Sequence, residues 1–242
     1  MFEKLKSEIE KCDYCKEKFG FEPHPIFWGR QNSKIVQISQ APSNNVHKSM
    51  KPFTDMSGKT LKYEWYQVTD EQFYNTDNFF IGALAHCYPG KDKNGNDKQP
   101  PKCCFDKWVE KELKVLDNEI YVIIGAKAAK RFFPNDNFED LVFKNNYWNN
   151  KLAIVLPHPS PLNKKWIKDH PQFLEKRIYE IRELIKKYGF PSLPLFIIIS
   201  ESFNWLSSTN FLASIIFFTP NPKCLLPMVF KSTPKFFECS GN

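Results

Sequence analysis

The chain has 242 residues, 42% of them hydrophobic, and a formal net charge of +7 from 34 basic and 27 acidic side chains. That length predicts one sizeable domain with its own core rather than two, and a positive charge spread along the chain suits a polyanionic partner such as nucleic acid. Residues Met1–Cys15 are charged and lack an apolar h-region, which speaks against a secretory signal; in the reducing, cytoplasmic setting this predicts, seven cysteines point to metal ligation or catalysis rather than a disulfide framework.

In chain order, Ser33–Ser39 (SKIVQIS) reads as a short buried strand running into the turn Gln40-Ala41-Pro42-Ser43. Phe79–His86 (FFIGALAH) is a second apolar run of strand length. A helix is predicted over Asp106–Leu116, with Trp108, Val109, Leu113 and Leu116 at helical spacing. Tyr121–Gly125 (YVIIG) is a third strand, passing at once into the helical stretch Ala126–Phe133. Leu152–Leu156 (LAIVL) is a fourth, opening into His158-Pro159-Ser160-Pro161. Pro171–Tyr188 carries Phe173, Leu174, Ile178, Ile181, Leu184 and Ile185 on one helical face. Continuous apolar strands alternating with helices predict an α/β fold, three-layer α/β/α, around a central and mainly parallel four-stranded sheet. The loops at 40–55, 87–101 and 157–166 then share the rim outside the carboxyl ends of the strands, where ligands bind in such sheets.

The chain changes character near residue 190. Residues 1–190 read as one domain. Residues 191–242 hold only five charged side chains and show no clear period. Three readings compete for this tail: a poor membrane span broken by Glu201, Asn204 and Asn210, an extra hydrophobic element, or a non-native terminus that folds into nothing. The Tyr188-Gly189-Phe190-Pro191 helix stop favours the last.

Three constellations carry chemistry. Cys12 and Cys15 form a CxxC, Cys87 closes the second predicted strand, and Cys103 and Cys104 open the helix that follows. Four thiolates from such a set suit either zinc or a [4Fe–4S] cluster; alternatively the later cysteines are small buried residues. The second constellation is the Gln40–Ser43 turn with Lys51-Pro52-Phe53-Thr54-Asp55 and Ser57-Gly58, which offers backbone N–H groups and an aromatic ring to a planar ligand, or simply a surface loop with Phe53 tucked inward. The third is His158-Pro159-Ser160-Pro161-Leu162-Asn163, a loop stiffened by two prolines and followed by Lys164 and Lys165, which suit phosphate.

Together these motifs resemble the uracil-DNA glycosylase superfamily over about residues 12–188. The likeness is to its family 4, the iron–sulfur type, and closer still to a group of small bacterial uracil-DNA glycosylase-like proteins. The shared pattern here is Gln40-Ala41-Pro42, Val46-His47, Pro52-Phe53, Asp55, Ser57-Gly58, Cys87-Tyr88-Pro89-Gly90-Lys91, Gly95, Pro100-Pro101, Cys104, Trp108, and His158 to Asn163 with Trp166.

The resemblance implies a [4Fe–4S] cluster on Cys12, Cys15, Cys87 and Cys104, with Cys104 preferred to Cys103 because it stands four before Trp108. It implies base flipping by a cytoplasmic monomer that binds DNA and no membrane. Phe53 would stack on the base, and His158 would hydrogen-bond its developing anion, helped by backbone N–H groups at Gln40 and Ala41. Leu162 would fill the vacated stack, and Ser160, Asn163, Lys164 and Lys165 would grip the strand. Two positions depart from family 4. An Asn that reads uracil there is Ala83 here, and a Glu in the turn is Gln40, which cannot act as a base. His47 and Asp55 are the candidates to compensate. Two functions follow: a glycosylase releasing uracil or another deaminated base, or an iron–sulfur DNA-binding relative with little base excision.

Overall fold

The computed structural model describes residues 1–190; the tail 191–242 lies outside the described residues. Five strands form one sheet: β1 (Ile35–Ser39), β2 (Phe79–Ala83), β3 (Ile120–Ile124), β4 (Asn146–Trp148) and β5 (Lys151–Leu156), in the order β2-β1-β3-β5-β4. The pairings of β1 with β2, β1 with β3 and β3 with β5 are parallel, and β4 is an antiparallel edge strand. β1 and β3 are buried at every position, as strands covered on both faces must be, and this is why their sequences are apolar runs apart from Gln37 and the terminal Ser39. The buried Tyr66 hydroxyl donates to Gln37 Oε1 at 2.8 Å, while Gln37 Nε2 is buried without a hydrogen-bond partner among the described residues.

Helices surround the sheet. Ile178–Gly189 packs on β1, Ala126–Phe132 on β3 and Phe138–Phe143 on β5. The helix predicted over 106–116 begins earlier, at Lys102, and runs with a wide π-type segment (Phe105–Val109) to Val115. Among the described residues no helix is long and apolar enough to cross a membrane.

Two expectations need correction. The sheet has five strands, not four. β4 is three residues long and joins β5 through Asn149-Asn150, both with positive φ (48° and 59°), the backbone demanded by a tight two-residue hairpin turn. The second strand also ends sooner than Phe79–His86. After Ala83 the chain bends away: the Leu84 N–H makes a last bond to the Ser39 carbonyl at 2.9 Å, and Ala85 and His86 are still buried but lie outside the strand. Cys87 therefore follows a buried loop rather than closing a strand.

Arg177 secures the segment that leads into the edge strand β4. It is 4% exposed. Its Nε donates to the Val142 carbonyl at 2.9 Å, Nη2 to the Lys144 carbonyl at 2.8 Å and the Asn145 side chain at 2.9 Å, and Nη1 to Glu180 at 2.7 Å. Arg177→Met strands several acceptors and is expected to destabilise the fold by roughly 2–4 kcal/mol. Urea unfolding should show a lower midpoint with an unchanged slope.

Candidate active site

Parallel pairing sets Ser39 of β1 opposite Ala83 of β2, and β5 delivers Pro157 and His158 to the same rim. One pocket is lined there by Ala41, Phe53, Asp55, Ala83 and His158, with Ser39, Ser43 and Ser57 as further polar groups and Ile26, Ile81 and Ala85 on its apolar wall. Gln40 lies at the wider mouth, which it shares with Ser160, Leu162 and Asn163.

His158 is held from two directions. Its Nδ1 accepts the Ser160 backbone N–H at 3.2 Å, and Asn163 Nδ2 donates to the His158 carbonyl at 3.0 Å. An Nδ1 that accepts cannot carry the proton in the neutral ring, so Nε2–H is the free donor. Burial pushes the His158 pKa down, against a smaller upward pull from the Asp55 carboxylate, and keeps the ring neutral near pH 7.

Phe53 adopts a positive φ of 54°, a backbone conformation strained for an aromatic residue. The cause lies beneath it. The Tyr74 hydroxyl donates to the Pro52 carbonyl at 2.9 Å and the Phe53 carbonyl at 3.2 Å. Lys62, whose side chain is 5% exposed, donates in turn to Tyr74 at 3.3 Å and to Asp70 at 2.6 Å. Burial, with the Asp70 and Asp55 charges, pushes the Tyr74 pKa up to about 12, so it stays a donor. A Cβ on Gly58 would lie 1.9 Å from the Phe53 carbonyl oxygen; only glycine allows this approach. Asp55 caps the next helix, its Oδ1 accepting the Gly58 N–H at 3.1 Å, and its Oδ2 lies 3.4 Å from Ser43 Oγ. Tyr74 and Lys62 were not singled out from the sequence, and Ser43 was named only as part of the Gln40–Ser43 turn. Only the Ser43 position carried a local signal, that of a helix cap.

Other expected site residues lie outside the pocket itself. His47 does not line the pocket. It stacks on His24 at 4.4 Å and faces a separate groove with Lys48 and Met50, its Nδ1 buried without a partner among the described residues. Leu162 is 96% exposed. Lys164 and Lys165 are exposed on the helix after it, Lys165 paired with Asp169.

The cysteines gather on the other flank. Cys12 accepts the Trp108 indole N–H at 3.2 Å, Cys104 the His86 backbone N–H at 3.4 Å, and Cys87 the His24 backbone N–H. Trp108 packs there with Leu5 and Ile9. Burial raises Cys15 to about 11 and Cys87 and Cys104 to about 12, and the thiols raise one another: Cys104 feels Cys87, Cys15 and Cys12, whereas Cys103 bears chiefly on Cys15. Among the described residues no three His, Cys, Asp or Glu side chains converge tightly enough to hold one ion. Beside them His86, fully buried, bonds Glu112 Oε2 at 2.9 Å and the Ile26 carbonyl at 3.1 Å. Burial alone would lower its pKa, but the Glu112 carboxylate and these bonds raise it.

The pattern of the Uracil DNA glycosylase superfamily matches residues 26–182. A type-4 uracil-DNA glycosylase of Sulfurisphaera tokodaii is 24% identical over 190 residues, covering 75% of this chain and 84% of that protein. One from Thermotoga maritima is 18% identical over 192 residues, covering 78% and 97% respectively. One from Saccharolobus solfataricus is 24% identical over 138 residues, covering 56% and 60%.

The His158 environment gives a pH prediction. A histidine with a folded pKa below its unfolded value of about 6.5 binds fewer protons when folded, so its stability contribution is present above that pH and lost as pH falls through it. His158→Gln should therefore flatten the acid-side loss of stability between about pH 7 and pH 5 in urea titrations. Asp55→Asn, which removes the opposing pull, should move the His158 midpoint further down, as read by imidazole NMR.

Proposed function

Since the chain belongs to the uracil-DNA glycosylase superfamily, we propose that it is a DNA glycosylase of base repair, hydrolysing the N-glycosidic bond of uracil or another deaminated base. The observation that carries this reading is one pocket holding a rigid aromatic ring, a carboxylate and a neutral histidine with a free Nε2–H. A flipped base enters between Phe53 and the apolar wall. As the bond from C1′ to the base nitrogen breaks, its electrons pass into the base, and His158 Nε2–H donates to the oxygen where that charge collects. Asp55, facing the same pocket beside Ser43, holds the water whose oxygen bonds to C1′; the water's proton leaves through that carboxylate, and the released base takes up a proton. Gln40 and Ala41 contribute by backbone N–H groups at the rim.

The thiols fit a [4Fe–4S] group. A cluster takes one thiolate per iron, so its ligands stand apart instead of converging on a point, and buried thiols that raise one another's pKa call for bound cations to become thiolates. Cys12, Cys15, Cys87 and Cys104 would hold it, and the group would supply a cross-link between the N-terminal helices and the 84–104 segment. The three N–H donors to sulfur orient these ligands. DNA is the proposed partner, bound by a monomer.

A second reading, a DNA-binding relative with little base excision, is favoured by Ala83, which leaves that wall without a polar side chain to read the base edge. Base release from oligonucleotides carrying uracil, hypoxanthine or xanthine separates the two, using anaerobically purified protein. The glycosylase reading expects release that falls about 100- to 1,000-fold in His158→Ala. No release from any substrate, with DNA binding retained, would leave the second reading. Iron analysis and a brown colour lost in Cys87→Ser test the cluster separately; a colourless, zinc-loaded protein would overturn it.

A further inference from the structure

The cleft above the pocket has a second wall. Facing His158, Ser160, Leu162 and Asn163 across it are Pro89, Asn96, Asp97 and Lys98. They belong to a small hairpin closed by the bridge between Lys91 and Asp97. The hairpin is stiff for its size. The Lys98 N–H donates to the Gly90 carbonyl at 2.9 Å and the Asp92 N–H to the Asn96 carbonyl at 2.8 Å. The side chain of Asp92 accepts the backbone N–H groups of Asn94 and Asn96, at 2.8 and 2.9 Å.

Its charges are sorted. Both acids are turned to internal work, Asp92 on those amides and Asp97 accepting the Tyr88 hydroxyl at 2.9 Å. Lys91 closes on the Gly95 carbonyl at 2.8 Å. Lys93 and Lys98 are exposed, their ammonium groups have no hydrogen-bond or ion-pair partner among the described residues, and Lys98 lies on the cleft wall itself. Cations on a pre-formed turn lose little entropy on meeting a phosphate.

Resting on the glycosylase reading, we propose that the Lys91–Lys98 hairpin is a second DNA-backbone clamp, in which Lys98 and Lys93 contact phosphates on the side of the cleft opposite the Leu162 loop. The flipped nucleotide is then gripped from both flanks, and the strand is held while Leu162 enters the stack.

The test is the salt dependence of binding, by fluorescence anisotropy with a uracil-containing DNA duplex, for the wild-type protein, Lys98→Ala, Lys93→Ala/Lys98→Ala and Lys98→Arg. Each lost phosphate contact lowers the slope of log K against log salt by about 1, so the double variant should lose about 2 and bind more weakly on every sequence. Lys98→Arg should keep the wild-type slope. Thermal melts should be unchanged, because both side chains are exposed. Unchanged slopes in both alanine variants, with Lys164→Ala/Lys165→Ala reducing the slope in parallel, would overturn the clamp while leaving the glycosylase reading in place. Absence of DNA binding by the wild-type protein would overturn both.

Discussion

Parallel pairing of β1 with β2 and β3, and of β3 with β5, decides where everything else can be. It forces the chain to leave β1, β2 and β5 at one end of the sheet, and each exit must become a loop over that rim. The turn at Gln40, the bend after Ala83 and the stiff segment at His158 are adjacent because their strands are in register, although they are separated by dozens of residues in sequence. The pocket is a by-product of that register, closed by Phe53 and Asp55 from the connection between β1 and β2.

Buried charge then fixes loops that the sheet alone would leave loose. Lys62 supports Tyr74, which holds the Pro52 and Phe53 carbonyls. Arg177 gathers the segment before β4. His86 and Glu112 tie the bend after β2 to the helix carrying Trp108. Removing one member of such a group strands the rest in a place water does not reach, so these side chains act as units. Phe53 keeps its strained backbone for this reason: the hydroxyl below and Gly58 beside it leave the chain no other path.

The four longer strands were legible in the sequence because parallel strands buried on both faces must be apolar without interruption, and Ile35–Ile38 and Ile120–Ile124 are close to that. β4 was not, since Asn146-Tyr147-Trp148 has no period to detect; its one signal was the Asn149-Asn150 pair. The end of β2 was misjudged because Leu84 and Ala85 are as buried as strand residues, and burial, not pairing, is what composition reports. The gathering of Phe53, Asp55 and His158 followed from placing their loops on a common rim, whereas Ala83, inside the predicted second strand, was marked only by the family resemblance. His47 was drawn to the same site by nearness in sequence, but the helix Asn44–Ser49 turns its ring toward His24. Lys62 and Tyr74 escaped notice because their importance lies in one hydroxyl reaching two carbonyls more than twenty residues back.

The hairpin of β4 and β5 has one more consequence. β5 is an almost wholly apolar strand, and left at the margin of the sheet it would offer its open backbone to any similar strand of a neighbouring molecule. β4 caps that margin over Lys151–Ala153, yet at three residues it is itself too short to template further growth. The sheet thus ends at β4 in a strand that leaves little open backbone for another strand to pair with.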